Sequence, residues 1–204
     1  MNEDKVALST IASISVGLVV SRISKPPYNI NQGSKRYKYL TLSSAINGWG
    51  IDESGLRDFE PVRAVDERFL TKLGDVIMGI SSPHSIVLID QSAQGGLVIP
   101  SQFVVIRLTT QDVLPEYLAI YMSSDEVQDK IAHMSKGTAV KIINAHSLQS
   151  LEIRIPVINK QKKLAKLREL LHEENKLSMQ YARLVNQKNN YYLNHFVSEG
   201  AKNV

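Results

Sequence analysis

The chain has 204 residues, no cysteine and a formal net charge of +4; 43% of it is hydrophobic and 22% charged. That length allows one large domain, or a medium domain with an appendage, and the missing thiols exclude disulfide scaffolds, cysteine-bound zinc, iron–sulfur clusters and thiol nucleophiles. A cytoplasmic protein with no export signal and no membrane span is expected, because the apolar stretch Ile11 to Val20 is too short to cross a bilayer and carries Ser13, Ser15 and Gly17.

Leu8, Ile11 and Ile14 recur at helical spacing, and Val16, Leu18, Val19 and Val20 form a dense run suited to a buried strand. A short helix or turn leading into a strand is predicted there. Residues 24 to 38 read as an exposed loop, with Pro26-Pro27 enforcing extended backbone and Asn29, Asn31, Gln32 and Gly33 supplying turn chemistry. A short strand is expected from Tyr39 to Leu42 and a turn at Asn47-Gly48-Trp49-Gly50. Ser85 to Asp90 and Phe103 to Leu108 hold continuous apolar runs that predict buried strands. Pro115 opens a helix with Leu118, Tyr121 and Met122 on one face, and a second helix carries Val127, Ile131 and Met134, with Ser123 and Glu126 spaced as a capping box. Lys136-Gly137-Thr138 breaks the pattern, Ile142-Ile143 and Leu151, Ile153 and Ile155 return to strand spacing, and Pro156 ends the globular part.

After Asn159 there is no proline, and no glycine before Gly200, so a single helix of about ten turns is predicted. With a positions at Leu164, Leu171, Ser178, Val185 and Tyr192 and d positions at Leu167, Glu174, Tyr181, Lys188 and His195, six of the ten seam places are apolar. Alone, such a helix exposes Leu164, Leu167, Leu171, Tyr181, Val185 and Tyr192, and needs a partner to cover them. The resulting fold class is α+β: a globular domain with a mixed β core, residues 1–157, followed by a long C-terminal coiled-coil helix, residues 158–204.

Charge is distributed in blocks. Between Asp4 and Asp52 there is no acid, residues 52–129 are dominantly acidic, and from Lys130 to Arg168 only Glu152 opposes the bases. Folding that brings the two basic blocks to one face would make a stripe able to displace counterions from a phosphate backbone. Two loop sets hold the side chains for such contacts: Arg22, Lys25, Asn31, Lys35 and Arg36 in one, Lys136, Thr138 and Lys141 in the other, with Tyr28 placed to stack. Asn, Gln and Ser in loops also serve simply as turn formers.

Catalytic patterns are missing. Pro26-Pro27-Tyr28 resembles the catalytic tetrapeptide of amino-methyltransferases, but Lys25 stands where an acceptor is needed, and a cation cannot accept from an amine. Five scattered histidines lack metal-ligand spacing, and Gly95-Gly96 is not followed by a P-loop Lys-Ser/Thr.

Taken in order, several stretches resemble the DNA-specificity (S) subunit of type I restriction-modification systems. They are Leu73-Gly74-Asp75-Val76-Ile77, Ile86 to Asp90, Phe103 to Leu108, Pro115-Glu116-Tyr117-Leu118 and Lys136-Gly137-Thr138 with Ile142. Leu148 to Leu151, Ile155-Pro156 and Gln161 before the long helix complete the series. The opening residues Val6, Leu8, Ile11, Ile14 and Gly17 match the start of a target-recognition domain. The resemblance implies a non-catalytic subunit that reads double-stranded DNA. S-adenosylmethionine would be brought by adenine methyltransferase (modification) subunits, and ATP consumed by a motor-nuclease restriction subunit where one is present. Family members usually carry two recognition domains and two long helices, and this sequence has one of each. It therefore looks like a half-subunit that homodimerises through its helix and reads a bipartite, inverted site. The alternative is a protein-interaction or regulatory module of a restriction complex that does not itself read DNA.

Overall fold

The computed structural model describes residues 5–24, 35–46, 50–91, 95–134 and 142–200. The chain divides into two compact units, Met1–Ala165 and Lys166–Val204. The first is mixed in secondary structure. Its strands are β1 (Lys5–Ala7), β2 (Ala12–Val16), β3 (Tyr37–Tyr39), β4 (Ala45–Ile46), β5 (Gly50–Ile51), β6 (Arg57–Phe59), β7 (Val76–Gly79), β8 (Ile86–Leu88), β9 (Phe103–Leu108) and β10 (Glu152–Arg154). Its helices are α1 (Leu8–Ile11), α2 (Pro115–Ser123), α3 (Asp125–Met134) and α4 (Ala145–Gln149), and α5 (Ile158–Gly200) starts in this unit and continues through the second.

The centre is a four-stranded antiparallel sheet in the order β2-β9-β7-β8. Both faces are buried at β7, β8 and β9, which explains why these strands are apolar at nearly every position, whereas the edge strand β2 alternates and leaves Ser13 and Ser15 exposed. Val76, Met78, Ile86, Leu88, Val104 and Ile106 point to one side, where Leu118 and Met122 of α2 and Val127 and Ile131 of α3 cover them. The residues between them, Ile77, Val87, Phe103 and Val105, point the other way and meet Leu40, Leu97 and Ile99. A third cluster joins Ile23, Tyr37, Phe59, Val65 and Val98 beneath the two-stranded β3–β6 ribbon.

Several local expectations change. The predicted strand through Leu18 to Val20 ends instead at Val16, and Val20–Arg22 forms a 3-10 turn. Gly17 is the cause. A Cβ there would lie 2.2 Å from the Pro100 carbonyl oxygen, so the chain crosses the 99–100 segment at backbone contact, with Leu18 N–H donating to the Ile99 carbonyl at 2.7 Å. The strand expected at Tyr39 to Leu42 lies two residues earlier, as β3. Ser123 and Glu126 form no capping box: the Ser123 hydroxyl donates back to the Ala119 carbonyl at 2.7 Å, and the Glu126 carboxylate instead takes Lys130 at 2.6 Å and Arg154 at 3.4 Å. Helix α4, between the two predicted strands, was not anticipated; the Asn144 side chain accepts from Ser147 N–H and starts it. The turn expected at 47–50 lies outside the described residues except for Gly50.

The first turns of α5 are anchored in the globular unit. Gln161 is fully buried: its Oε1 accepts from Leu114 N–H at 2.8 Å, and its Nε2 donates to the carbonyls of Asp112 at 2.9 Å and Pro156 at 2.8 Å. Leu164 packs on the main core. Helix α5 has 43 residues, a length of about 65 Å at about 1.5 Å per residue.

Candidate nucleic-acid interface

Strand alternation builds the candidate site. In Tyr37-Lys38-Tyr39, the two tyrosines turn toward the third cluster, where Tyr39 meets Phe59 edge-on with centroids 6.2 Å apart, and Lys38 is left exposed. Lys35 and Arg36 enter this strand exposed, the Lys35 ammonium standing 5.2 Å over the Tyr37 ring. Together Lys35, Arg36, Tyr37 and Lys38, with Asp58, Leu70 and Gly95 to Leu97, line a groove of about 440 Å³. Gly96 has φ +81°, and a Cβ on Gly95 or Gly96 would meet no other atom within 4 Å, so this rim leaves room for close approach, while the Gly96 and Leu97 N–H groups are held by the Thr71 carbonyl and hydroxyl at 3.1 and 3.0 Å. Arg22 ends the 3-10 turn nearby in the fold: its neighbour Ile23 is buried in the same cluster as Tyr37.

The basic block is not electrostatically isolated. Strand β6 comes from the acidic stretch and pairs antiparallel with β3, setting Asp58 opposite Lys38. Arg36 Nε donates to Glu60 Oε1 at 2.5 Å. Exposed pairs of this kind contribute about 0–1 kcal/mol, so an arriving phosphate can compete for these cations. Among the predicted contacts, Arg22, Lys35 and Arg36 are exposed, and the last two are brought into one groove. Lys25, Tyr28, Asn31, Lys136, Thr138 and Lys141 lie outside the described residues. Lys38 was missed by the sequence reading, although its place between two tyrosines was the signal for an outward-facing base on a short strand.

A largely buried ion pair ties the ends of the central strands β7 and β9 to Leu70 of the groove. Asp75 is 1% exposed, and its carboxylate receives Arg107 Nε and Nη2, both at 2.7 Å, and Lys72 N–H at 2.8 Å. Arg107 Nη2 also donates to the Leu70 carbonyl at 3.3 Å. The Asp75 hydrogen bonds hold the Arg107 guanidinium above its ordinary pKa, against the opposing effect of burial. At the other end of the sheet, Ile143 N–H donates to the Ile80 carbonyl at 3.0 Å and Ile142 bridges Ser81, which tethers the end of the second predicted contact loop to the β7–β8 hairpin. A second hollow, of about 600 Å³, is lined by Leu73, Gly74, Leu88, Ile89, Asp90, Gln91, Pro115 and Glu116; its charged residues are acids, which do not suit a polyanion.

Of the predicted dimerisation residues, Leu167, Leu171, Tyr181 and Tyr192 are exposed, at 51%, 44%, 70% and 49%, and Val185 is half-buried. Leu164 is already engaged with its own core. The sequence reading missed a further apolar column on α5, Leu170, Leu177, Leu184 and Tyr191, exposed by 57%, 56%, 63% and 66%. Its signal was an unbroken seven-residue repeat directly beside the chosen d positions. Among the described residues, no helix is long and apolar enough to cross a membrane, and no group of three or more His, Cys, Asp or Glu residues could hold a metal ion.

No protein-family model matches the sequence, and no curated protein matches it. Solved structures do match in fold. The HsdS subunit from Thermoanaerobacter tengcongensis superposes with a TM-score of 0.64 at 19% identity, over 88% of this chain and 44% of that one. The type I restriction-modification S subunit from M. genitalium gives 0.53 at 17% identity, over 87% and 41%. A chain from a structure concerned with complex assembly and conformational transition of the type I restriction-modification system gives 0.55 at 13% identity, over 84% and 38%. The expected resemblance is therefore met in the fold: a mixed α and β globular unit leading into a long helix, as in type I S subunits. The chain spans less than half the length of each of these structures.

Proposed function

We propose that this chain is the DNA-specificity component of a type I restriction-modification system, contributing one target-recognition domain and one spacer helix. The observation that carries this reading is the fold likeness to S subunits over nearly nine-tenths of the chain. The exposed bases at the β3 groove and the open space over its glycine rim support it chemically, since ammonium and guanidinium groups beside an uncrowded backbone suit the close approach of a phosphate backbone. In this reading the chain is non-catalytic. It recognises double-stranded DNA, pairs with a second copy through α5, and docks adenine methyltransferase subunits that bring S-adenosylmethionine. A motor-nuclease subunit, where present, brings ATP. Two identical heads related by a twofold axis would read one half-site twice, inverted about a spacer.

The test is selection from a pool of randomised duplexes at moderate salt, with and without a methyltransferase partner. An enriched bipartite inverted site is the expected result, and a pool with no enrichment in either condition refutes the reading. Lys35→Ala and Lys38→Ala should each lower the slope of log affinity against log salt by about 0.9 if the residue meets a phosphate. The second reading, a protein-interaction module that does not read DNA, is favoured by Asp58 and Glu60, which neutralise part of the groove. It predicts complex formation through α5 with no sequence selection at all.

A further inference from the structure

The outer face of the β3–β6 ribbon carries acids as well as bases, and it carries them in register. Strand alternation sends Tyr37, Tyr39 and Phe59 inward and leaves Lys38 and Asp58 exposed opposite each other. Continued past Tyr37 and Phe59, the same antiparallel register brings Arg36 level with Glu60, and there Arg36 Nε donates to Glu60 Oε1 at 2.5 Å. These four residues carry no net charge. Lys35 stands apart from them, its ammonium lying over the Tyr37 ring instead of beside a carboxylate.

A phosphate backbone repels a carboxylate, so a face with alternating signs is poorly built for tracking phosphates. Base edges in the major groove of a duplex offer donors and acceptors side by side, and that groove admits a two-stranded ribbon. The Arg36–Glu60 contact suits this use. It engages the inner nitrogen of the guanidinium, and among the described residues neither terminal nitrogen is hydrogen-bonded. Those terminal N–H groups form a planar fork that matches guanine O6 and N7 together. The Arg36 side chain is 76% exposed and that of Glu60 27%, so the carboxylate is the seated partner and the guanidinium the projecting one. The seat is held on all sides. Tyr37 and Phe59 are buried beneath it, and on the far edge of β3 Val98 N–H donates to the Lys38 carbonyl at 2.8 Å. Beyond Glu60, Pro61 bridges Ser24 and Val62 N–H donates to the Ile23 carbonyl at 2.8 Å.

We propose that Arg36 reads a guanine in the major groove and that Glu60 is its positioning residue, holding the guanidinium by Nε so that both terminal nitrogens face the base. This rests on the DNA-specificity reading above and adds to it a base, a side chain and a groove. It also assigns the carboxylate a role: Glu60 lowers affinity for every duplex through its charge, and raises the preference for one base by fixing the arginine beforehand.

The experiment is the duplex selection described above, repeated with variants and read position by position. Arg36→Ala and Arg36→Lys should each lose about tenfold or more of the preference for one guanine per half-site and keep the other positions, since lysine retains the charge without the fork. Glu60→Ala should lose about threefold or more at the same guanine, while its binding to unselected duplexes is unchanged or tighter. Glu60→Gln, whose amide oxygen still accepts from Nε, should retain most of that preference. A probe that needs no variant to fold is the original protein on the selected site with 7-deazaguanine, which lacks the N7 acceptor, at that position. Binding should weaken about threefold or more, and the Arg36→Ala protein should not distinguish the two bases. An Arg36→Ala protein that keeps every base preference or weakens equally at all positions overturns the assignment and leaves the DNA-specificity reading standing. So does a Glu60→Ala protein that binds more tightly with its preferences intact. A pool in which the original protein enriches nothing overturns both.

Discussion

Gln161 is the side chain whose replacement should reveal most about how the long helix is mounted. Gln161→Leu keeps nearly the same volume and the same helical preference, and removes one acceptor and two donated hydrogen bonds. It strands the Leu114 N–H at the start of α2 and the carbonyls of Asp112 and Pro156, three partners gathered around a side chain that itself has no solvent exposure. Each buried bond of this type contributes about 1 kcal/mol net, and its unpaired remnant costs about 1–3 kcal/mol, so the loss should be about 3 kcal/mol after the added apolar contact is allowed for. The control is Gln180→Leu, the same exchange at an exposed position of the same helix, which should stay within about 0.5 kcal/mol of the original. Urea unfolding followed by far-ultraviolet circular dichroism, at one fixed protein concentration because any dimer's stability depends on it, gives both numbers. A Gln161→Leu protein within about 1 kcal/mol of the original, or no worse than Gln180→Leu, refutes the claim that this amide fastens the helix to the domain.

Asp75→Asn should destabilise the domain by about 3 kcal/mol in the same titration, because it leaves the Arg107 guanidinium partly buried with no opposite charge; a cost below about 1 kcal/mol would mean the pair is solvated in practice. Glu126 is held below the ordinary carboxylate range, chiefly by the hydrogen bond from Lys130 and then by the charges of Arg154 and Lys130. A depressed acid stabilises the fold above its unfolded pKa and loses that contribution as pH falls through its folded pKa, so Glu126→Gln should flatten the loss of stability on the acid side and leave the alkaline side unchanged. Replacing Leu177 and Leu184 together by Asp should convert a dimer into a monomer in sedimentation velocity, with the melting of the globular unit shifted only slightly; a dimer that survives the double change would place the interface elsewhere.

Much of the central sheet was legible because burial on both faces writes a continuous apolar run into the sequence. The predicted strand at Phe103 to Leu108 coincides with β9, and that at Ser85 to Asp90 contains β8. The two central helices were legible for a related reason, since Pro115 and the spacing of Leu118, Met122, Val127 and Ile131 mark one face and its start. The elements that were misplaced depend on distant partners. Val16 to Val20 reads as a strand from its β-branched residues, yet the chain is turned at Gly17 by a backbone crossing with residues 99–100 that no local signal announces. Strand β3 was placed late because its position is set by pairing with β6, twenty residues away, and by Val98 N–H donating to the Lys38 carbonyl. The charge blocks misled for the same reason: a sequence average treats residues 35–38 and 57–60 as opposite territories, and the β3–β6 ribbon places them side by side.

That juxtaposition bears on what a second head would add under the proposed function. The groove holds Lys35, Arg36 and Lys38, with Asp58 and Glu60 close by, so the net positive charge that this groove by itself can bring to a phosphate backbone is small. With each neutralised phosphate adding about 0.9 to the salt slope, a surface of that kind binds weakly and releases readily at physiological ionic strength. If two copies pair as proposed, binding of the first head turns the second encounter into an intramolecular one and raises affinity by about 10²–10⁴ when the geometry permits both contacts. Under the proposed function a weak, partly neutralised groove would then be an advantage for specificity: single sites would be left quickly, and DNA carrying both half-sites would be held longest. Under the proposed function the apolar stripe on the helix and the modest charge of the groove would be two parts of one device, each of little use without the other.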